Sequence, residues 1–169
     1  LFRSGDTMSD TTSTPKPPSA SPGGPAKPES PPAGLARQLK CRFDQWISEP
    51  IEFRGEITLK VSDVERMPAI CAVAKNELGF DYLVDITSID NYGEDPRFTL
   101  VFHLYGYGHR QYLRLKAELS EEKGEAPTLT GIWRTADWHE REIYDMMGIR
   151  FRGHPDLRRI LMWEEIGRA

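Results

Sequence analysis

The residue types that could carry chemistry are concentrated in residues 138–162. His139 and Glu140 match the first half of HExxH, a helical motif in which two histidines bind zinc and the glutamate acts as a general base. The position of the second histidine is occupied by Ile143, so one zinc ligand is missing and the pattern does not predict a metal site. Glu140 and Glu142 are two residues apart, which places them on different sides of a helix, so they do not form a carboxylate pair.

The rest of the sequence contains no motif for nucleophilic catalysis or phosphate binding. Cys41 and Cys71 belong to no CxxC pattern, which is typical of unpaired thiols in a reducing compartment. His103 has apolar neighbours, which favours a structural histidine, and His109 lies in a predicted turn, where we expect it to be exposed. The residues therefore indicate a domain without a self-sufficient active site. A stand-alone enzyme that uses the His139–Glu140 pair is the catalytic alternative.

A local basic patch follows the helix, formed by Arg150, Arg152, Arg158 and Arg159. Nucleic acid and acidic groups of a neighbouring protein are both chemically suitable partners for such a patch. The chain as a whole has 22 basic and 26 acidic residues and a net charge of −4, so it has no general attraction to nucleic acid or to an anionic membrane. No apolar run approaches the roughly 20 residues that span a bilayer. We therefore expect any membrane association to depend on protein partners.

Capping signals and apolar periodicity predict the helix that carries these residues. Asp137 is the predicted N-cap with Glu140 as its capping-box partner. The predicted apolar face consists of Ile143, Met146 and Met147.

The end of this helix and the segment after it are also predicted. Arg141 and Asp145 are one turn apart and are predicted to form an ion pair. Gly148 ends the helix, and Ile149 and Phe151 alternate with arginines in a short strand.

The remaining chain predicts an α+β domain with helices packed on a mixed sheet of about four to five strands. Residues 1–34 are rich in Pro, Ser, Thr and Gly, so we expect a disordered tail before a single domain of residues 35–169. Ser62 and Glu65 are a predicted capping box, and Pro68 is expected to kink the helix that follows. The predicted helices are residues 35–48 and 62–79, and the predicted strands are residues 51–61, with a bend at Gly55, then 80–90, 97–105, 111–119 and 128–133.

Residues 138–162 resemble the signature of the C subunit of the proton-pumping NADH–quinone oxidoreductase, respiratory complex I. That family carries Glu-Arg-Glu, an aromatic residue, Asp, Gly and then a Gly-His-Pro-x-Leu-x-Arg run, in the same order and spacing. Residues 84–87 and 102–105 are similar to the family's central strands. The matching signature positions are Glu140, Arg141, Glu142, Tyr144, Asp145, Gly148, Gly153, His154, Pro155, Leu157 and Arg159.

The resemblance implies a cofactor-free, non-catalytic scaffold subunit in the peripheral arm of complex I. Such a protein supports electron transfer from NADH through iron–sulfur subunits to quinone, coupled to proton translocation. NADH, FMN, iron–sulfur clusters and quinone are then held by partner subunits. The implied partners are chiefly the D subunit, which forms the quinone site, and the iron–sulfur subunits B and I, with no nucleic acid. The implied location is peripheral, on the cytoplasmic side of a bacterial inner membrane.

The signature residues are then expected to shape an internal joint of the domain or its contact with a partner subunit. The residues that we expect to do so are Arg141, Asp145, His154, Arg158 and Arg159. The same module occurs in energy-converting nickel–iron hydrogenases related to complex I, so the equivalent hydrogenase subunit is the alternative function. After residue 162 the sequence departs from the family pattern, so the domain is expected to be short at its C-terminus.

Overall fold

A five-stranded mixed sheet forms the centre of the chain, with its strands in the spatial order 51–53, 56–61, 111–119, 98–106 and 82–90. The structure is a computed structural model that describes residues 31–120, 122 and 124–163. The predicted α+β class and the mixed sheet are confirmed. The helices are α1 (Pro31–Arg42), α2 (Met67–Asn76) and α3 (Ala136–Met147), and the strands are β1 (Ile51–Phe53), β2 (Glu56–Val61), β3 (Tyr82–Asp90), β4 (Phe98–Gly106), β5 (Gln111–Leu119), β6 (Glu125–Pro127) and β7 (Arg150–Arg152).

The inner face of the sheet packs against α1 and α2 in one hydrophobic core. Leu113 of β5 pairs with Leu104 of β4 on one side and with Ile57 of β2 on the other, so apolar residues of three strands meet on this face. The alternation predicted for β5 is confirmed, because every second residue of the strand is buried. These inward residues are Leu113, Leu115, Ala117 and Leu119.

The first helix differs from its predicted bounds at both ends. Most of the predicted tail, residues 1–30, lies outside the described residues. The helix begins at Pro31, four residues before the predicted start, and it ends at Arg42 rather than near residue 48. It ends early because the chain turns, with the N–H of Ile47 bonded to the carbonyl of Phe43 and Ile47 bridged to Val61.

The single strand predicted for residues 51–61 is wrong, because the chain reverses and forms the β1–β2 hairpin. Arg54 and Gly55 have φ values of 54° and 82°, the two successive positive values that a tight hairpin turn requires. Phe53 lies opposite Glu56 and is 65% exposed, so it occupies the outer face and not the core.

The start of α2 also corrects the prediction. Asp63, and not Ser62, is the cap, because its carboxylate accepts the N–H of Glu65 in a 3-10 turn, Val64–Arg66. Pro68 lies in the first turn of α2, where its missing N–H has no helical partner to lose, and the turn before α2 is a 3-10 helix. The predicted apolar stripe is confirmed by the burial of Val64, Met67, Cys71 and Ala74.

A second, two-stranded parallel sheet lies beside α3. The strand predicted for residues 128–133 is wrong. The strand in this region is β6, which ends at residue 127, and it pairs with β7, which follows α3 in the chain. Residues 130–132 form a turn that leads toward α3. Trp133 is buried at the end of this turn, and its indole N–H donates to the carbonyl of Asp81, 3.0 Å away.

Candidate functional site

The signature helix α3 buries a face that differs from the predicted one. Ile143 is buried as predicted, but Met146 is 57% exposed and Met147 is 37% exposed. The face toward the core is formed instead by Ala136, Glu140 and Ile143, which are four and three residues apart. The predicted apolar face of α3 is therefore wrong, and the last turn of the helix projects two methionines outward.

Glu140 is the central polar group of the buried face, with no exposed surface. One carboxylate oxygen accepts the N–H of Leu129 at 2.6 Å, and the other accepts the hydroxyl of Thr128 at 2.6 Å. Burial raises the pKa of this carboxyl group to about 7, against the opposing effect of these two hydrogen bonds. The predicted capping box is wrong, because Thr135 precedes the helix without a side-chain cap and Asp137 lies in the first turn.

His154 reaches the same interior from beyond the helix, and its side chain is fully buried. Its Nδ1 accepts the N–H of Asp156 at 3.0 Å, so in the neutral ring the proton lies on Nε2. Nε2 lies 3.1 Å from a carboxylate oxygen of Asp137 and 4.0 Å from a carboxylate oxygen of Glu140. A cluster of two acids and one imidazole therefore joins the start of α3 to the loop after β7, with the side chains of His154 and Glu140 fully buried and that of Asp137 half-buried.

The segment after this loop is held by Asp145, which is only 5% exposed. A single carboxylate oxygen accepts the N–H groups of Ile160, Leu161 and Met162, at 3.2, 2.8 and 2.7 Å. The other oxygen lies 3.7 Å from Nε of Arg159. Burial alone would raise the pKa of Asp145, but the three N–H groups and the guanidinium outweigh it and lower the pKa.

Arg141 binds the same segment through the backbone carbonyl groups of that segment. Its guanidinium donates to the carbonyls of Arg158 and Arg159, at 3.2 and 3.3 Å. The predicted ion pair between Arg141 and Asp145 is wrong, since both side chains bind the backbone that follows Pro155 instead. Together these two side chains fix the path of residues 158–162 along α3.

Arg158 and Arg159, two adjacent residues of the basic patch, differ in exposure to solvent. The side chain of Arg158 is 70% exposed and forms an ion pair with Asp156 at 3.0 Å. Arg159 is only 21% exposed and also donates to the carbonyl of Trp163 at 3.0 Å. The two residues are adjacent in sequence and were expected to act together, but only Arg158 faces outward.

The other signature residues surround this joint. Gly148 has a φ of 76° and caps α3, which confirms the predicted helix end. Gly153 has a φ of 81°, and a Cβ there would lie 3.3 Å from the methyl group of Thr128. Tyr144 is half-buried, whereas Glu142 and Pro155 are exposed.

His139 faces the sheet. Its Nδ1 lies 3.3 Å from a carboxylate oxygen of Asp85. Asp85 pairs across the sheet with His103, and His103 accepts a hydrogen bond from Arg114 at 3.3 Å. Burial and then the charge of Arg114 lower the pKa of His103. In the described part of the chain, no three His, Cys, Asp or Glu residues are arranged to hold a metal ion.

His109 is half-buried, so the predicted exposure of this residue is wrong. Its ring packs edge-on against Phe80, with the centroids 4.8 Å apart, and Nε2 lies 3.2 Å from the carbonyl of Leu78. The ring therefore ties the β4–β5 hairpin to the loop that precedes β3.

The chain has clear relatives among known proteins. Residues 60–168 match the family described as respiratory-chain NADH dehydrogenase, 30 Kd subunit. The chain is 44% identical over 128 residues to the C subunit of NADH-quinone oxidoreductase from Geotalea uraniireducens, a match that covers 76% of this chain and 77% of that protein. It is 52% identical over 102 residues to the C 2 subunit of NADH-quinone oxidoreductase from Rhizobium meliloti, which covers 59% of this chain and 56% of that protein.

Solved structures agree with this relationship. The trypsin-resistant fragment 1–134 of Nqo5 is 32% identical, with a TM-score of 0.62, over 73% of this chain and 98% of the fragment. A chain of the membrane-bound sulfane sulfur reductase, an archaeal respiratory membrane complex, has a TM-score of 0.68 over 78% of this chain and 76% of its own length. That chain is 17% identical, so it shows a common fold.

The signature, the fold and the family match agree on the class of protein. The chain belongs to the family of the 30 Kd subunit of respiratory-chain NADH dehydrogenase. It is thus a subunit of a complex of the complex I type. Within the described residues, none of the helices is long and apolar enough to cross a membrane.

Proposed function

We propose that this chain is a scaffold subunit of the peripheral arm of an NADH–quinone oxidoreductase. In this role it holds neighbouring subunits in place while electrons pass from NADH through iron–sulfur subunits to quinone, coupled to proton translocation. NADH, FMN, the clusters and quinone are held by partner subunits, chiefly D, B and I, on the cytoplasmic side of the inner membrane. The chain itself supplies no cofactor and no catalytic group.

The observation that carries this proposal is the use of the signature side chains. Glu140, Arg141 and Asp145 bind backbone groups of other segments. Polar side chains that are hydrogen-bonded to separate segments hold a structure in one arrangement. Such rigidity suits a protein whose task is to keep the distances between its neighbours fixed.

The signature then divides into two sets of residues with different roles. The first set forms the internal joint: Glu140, Arg141, Asp145, His154 and Arg159, with Gly148 and Gly153 at the turns. The second set faces outward and is available to a partner: Glu142, Pro155 and Arg158, while Tyr144 lies between the two.

The relatives favour the oxidoreductase over the equivalent subunit of an energy-converting nickel–iron hydrogenase. Relatives from Geotalea and Rhizobium are named as C subunits of NADH-quinone oxidoreductase, at 44% and 52% identity. The match to the sulfane sulfur reductase concerns the fold alone.

Affinity purification of the tagged full chain from its own host tests the proposal, with an untagged strain as control. We expect NADH-binding and iron–sulfur subunits of the oxidoreductase to co-purify with the chain. Recovery of hydrogenase subunits in their place, or of no oxidoreductase subunit, would overturn the proposal.

A further inference from the structure

A chain of two hydroxyl groups leads away from the buried carboxyl group of Glu140. The carboxyl oxygen Oε2 lies 2.6 Å from Oγ1 of Thr128, which lies 2.9 Å from Oγ1 of Thr130. The side chain of Glu140 has no exposed surface, whereas Thr128 and Thr130 are half-buried. The two hydroxyl groups therefore connect the buried carboxyl group with a more open part of the molecule.

Thr130 lies at the wall of a cavity of about 600 Å³ beside the start of α3. The exposed residues Arg134, Trp138 and Asp156 line the same cavity, so water can enter it. Glu140 does not reach the cavity wall. A proton from this water therefore reaches the carboxyl group either through an intervening group or by local opening of the fold.

The hydroxyl chain has a complete set of hydrogen bonds in both ionisation states of Glu140. When Glu140 is ionised, the hydroxyl of Thr128 donates to Oε2, and the hydroxyl and the N–H of Thr130 both donate to Thr128. When Glu140 is protonated, Oε2 donates to Thr128, and the hydroxyl of Thr128 donates to Thr130. Both arrangements are allowed because a hydroxyl group donates one hydrogen bond and accepts two.

The other polar groups beside Glu140 do not offer such a route. Nε2 of His154 lies 4.0 Å from Oε2 of Glu140, beyond hydrogen-bonding distance. A histidine relays a proton by accepting it at one ring nitrogen and releasing it from the other. Here Nε2 faces both Glu140 and Asp137, while Nδ1 accepts the N–H of Asp156. Oε1 of Glu140 binds the N–H of Leu129, a peptide group that does not release its proton near neutral pH.

We propose that Thr128 and Thr130 form a proton relay, here called the threonine relay, which exchanges the proton of Glu140 with water in the cavity. A hydronium ion gives a proton to Oγ1 of Thr130, the hydroxyl hydrogen of Thr130 moves to Oγ1 of Thr128, and that of Thr128 moves to Oε2 of Glu140. Each hydroxyl group gains one proton and loses one. The net change is the transfer of one proton from water to the carboxylate, and this inference does not depend on the proposed function.

The relay has a proton to carry near neutral pH, because both forms of Glu140 are then populated. Burial raises the pKa of Glu140 to about 7, the hydrogen bonds from Leu129 and Thr128 oppose this rise, and the charge of Asp137 adds to it. Asp137 and His154 are the titratable groups beside Glu140 in the described part of the chain. The threonine relay thus lets a buried group of the joint follow the pH of the solvent without opening of the fold.

NMR of the isotope-labelled glutamate carboxyl carbons in the full chain tests the relay. Glu140→Gln identifies the resonance of Glu140, and relaxation dispersion near its titration midpoint measures the rate of exchange between the protonated and ionised forms. Thr130→Val replaces the hydroxyl by a methyl group, keeps the N–H of residue 130 and leaves the contact between Glu140 and Thr128 intact. Exchange should slow at least about tenfold, because the proton must then wait for local opening, and the titration midpoint should stay unchanged.

Three further variants control for packing. Thr130→Ser keeps a hydroxyl group and should exchange at the wild-type rate. Thr135→Val should also match wild type, because Thr135 lines the same cavity but makes no capping hydrogen bond to α3. Thr130→Ala removes the same hydroxyl group without adding an atom, so it decides the result if valine packs poorly at this position.

The outcomes are distinct. Slower exchange in Thr130→Val and Thr130→Ala, with wild-type exchange in Thr130→Ser and Thr135→Val, supports the threonine relay. Wild-type exchange in both variants that lack the hydroxyl group would show that the proton arrives by another route and would overturn the relay. Equal slowing in Thr130→Ser or in Thr135→Val would assign the effect to packing around the cavity, which also overturns it.

Discussion

The carboxylate of Glu140 lies beside the imidazole of His154, with Oε2 4.0 Å from Nε2 and neither side chain exposed to solvent. Glu140 belongs to α3 and His154 to the loop after β7, so the contact joins two segments of the signature. Glu140 also binds the chain before the helix, at Thr128 and Leu129. One buried carboxylate thus connects the segment before α3 with the segment after it.

The stability of the domain should therefore depend on the ionisation of Glu140. Its pKa rises from the ordinary value of 4.5 to about 7 in the folded protein. The protonated group supports the fold fully below pH 4.5, and this support is lost as the pH rises through 7. Glu140→Gln mimics the protonated form, so the unfolding free energy of wild type should fall relative to this variant between about pH 5 and pH 8, by up to roughly 3 kcal/mol.

Denaturant titration of both proteins across this range measures the difference. Glu142→Gln is the matched control, because Glu142 is exposed on the same helix. It leaves Asp137 and His154 in place, as Glu140→Gln does. Parallel pH profiles for wild type and Glu140→Gln would show that Glu140 does not titrate differently in the folded state.

Asp145→Ala should loosen residues 160–162 without unfolding the domain. The substitution leaves three backbone N–H groups without their acceptor, but this segment is partly exposed and water can replace some of the bonds. We expect a loss of about 1–3 kcal/mol and faster amide exchange at these three positions. Exchange measured by NMR or mass spectrometry tests this, and unchanged protection of the three amides would contradict the assigned role of Asp145.

Gly106→Ala should destabilise the β4–β5 hairpin. A Cβ at this position would lie 2.2 Å from the ring of His109 and 2.6 Å from the carbonyl oxygen of Gly79. To relieve this overlap, a packed ring and part of the backbone must move, which typically costs about 1–3 kcal/mol. Gly108→Ala in the same hairpin is the control, since no atom lies within 4 Å of its added Cβ. Thermal unfolding should separate the two variants, and equal midpoints would contradict this packing.

Cys71→Ser should destabilise the protein more than Cys41→Ser. Cys71 is fully buried in α2, and burial raises the pKa of its thiol, whereas Cys41 is exposed. A buried hydroxyl without a partner costs about 1–3 kcal/mol, while a surface change stays within about 0.5 kcal/mol. Chemical denaturation of the two variants provides the comparison. A thiol reagent should label only Cys41 in the folded protein, and rapid labelling of Cys71 would place it at the surface.

The sequence predicts elements well where one strong local pattern decides them. Alternation in β5 and the glycine at position 148 are examples, because burial on one face and a left-handed cap each require particular residue types. The β1–β2 hairpin was missed because its turn is Arg54-Gly55, which lacks the Asn or Asp that usually precedes such a glycine. The alternating pattern therefore continued through the turn unchanged.

The contacts of the site could not be predicted, because they join residues distant in sequence. Arg141 and Asp145 have the spacing of a helical ion pair, yet both bind a segment about 15 to 18 residues further on. Glu140 has the spacing of a capping-box residue, but the packing of residues 128 and 129 buries it. Local spacing describes the helix surface, whereas tertiary packing decides which of these groups are buried.

In the proposed function, this chain positions the redox subunits without taking part in their chemistry. The most direct measurement compares membranes of the host with and without the chain for NADH-driven quinone reduction and for NADH oxidation by an artificial electron acceptor. We expect that deletion abolishes quinone reduction while NADH-oxidising activity persists in partner subunits, and that the full chain restores quinone reduction. Quinone reduction at the wild-type rate in membranes that lack the chain would show that the chain is not needed to position the redox subunits.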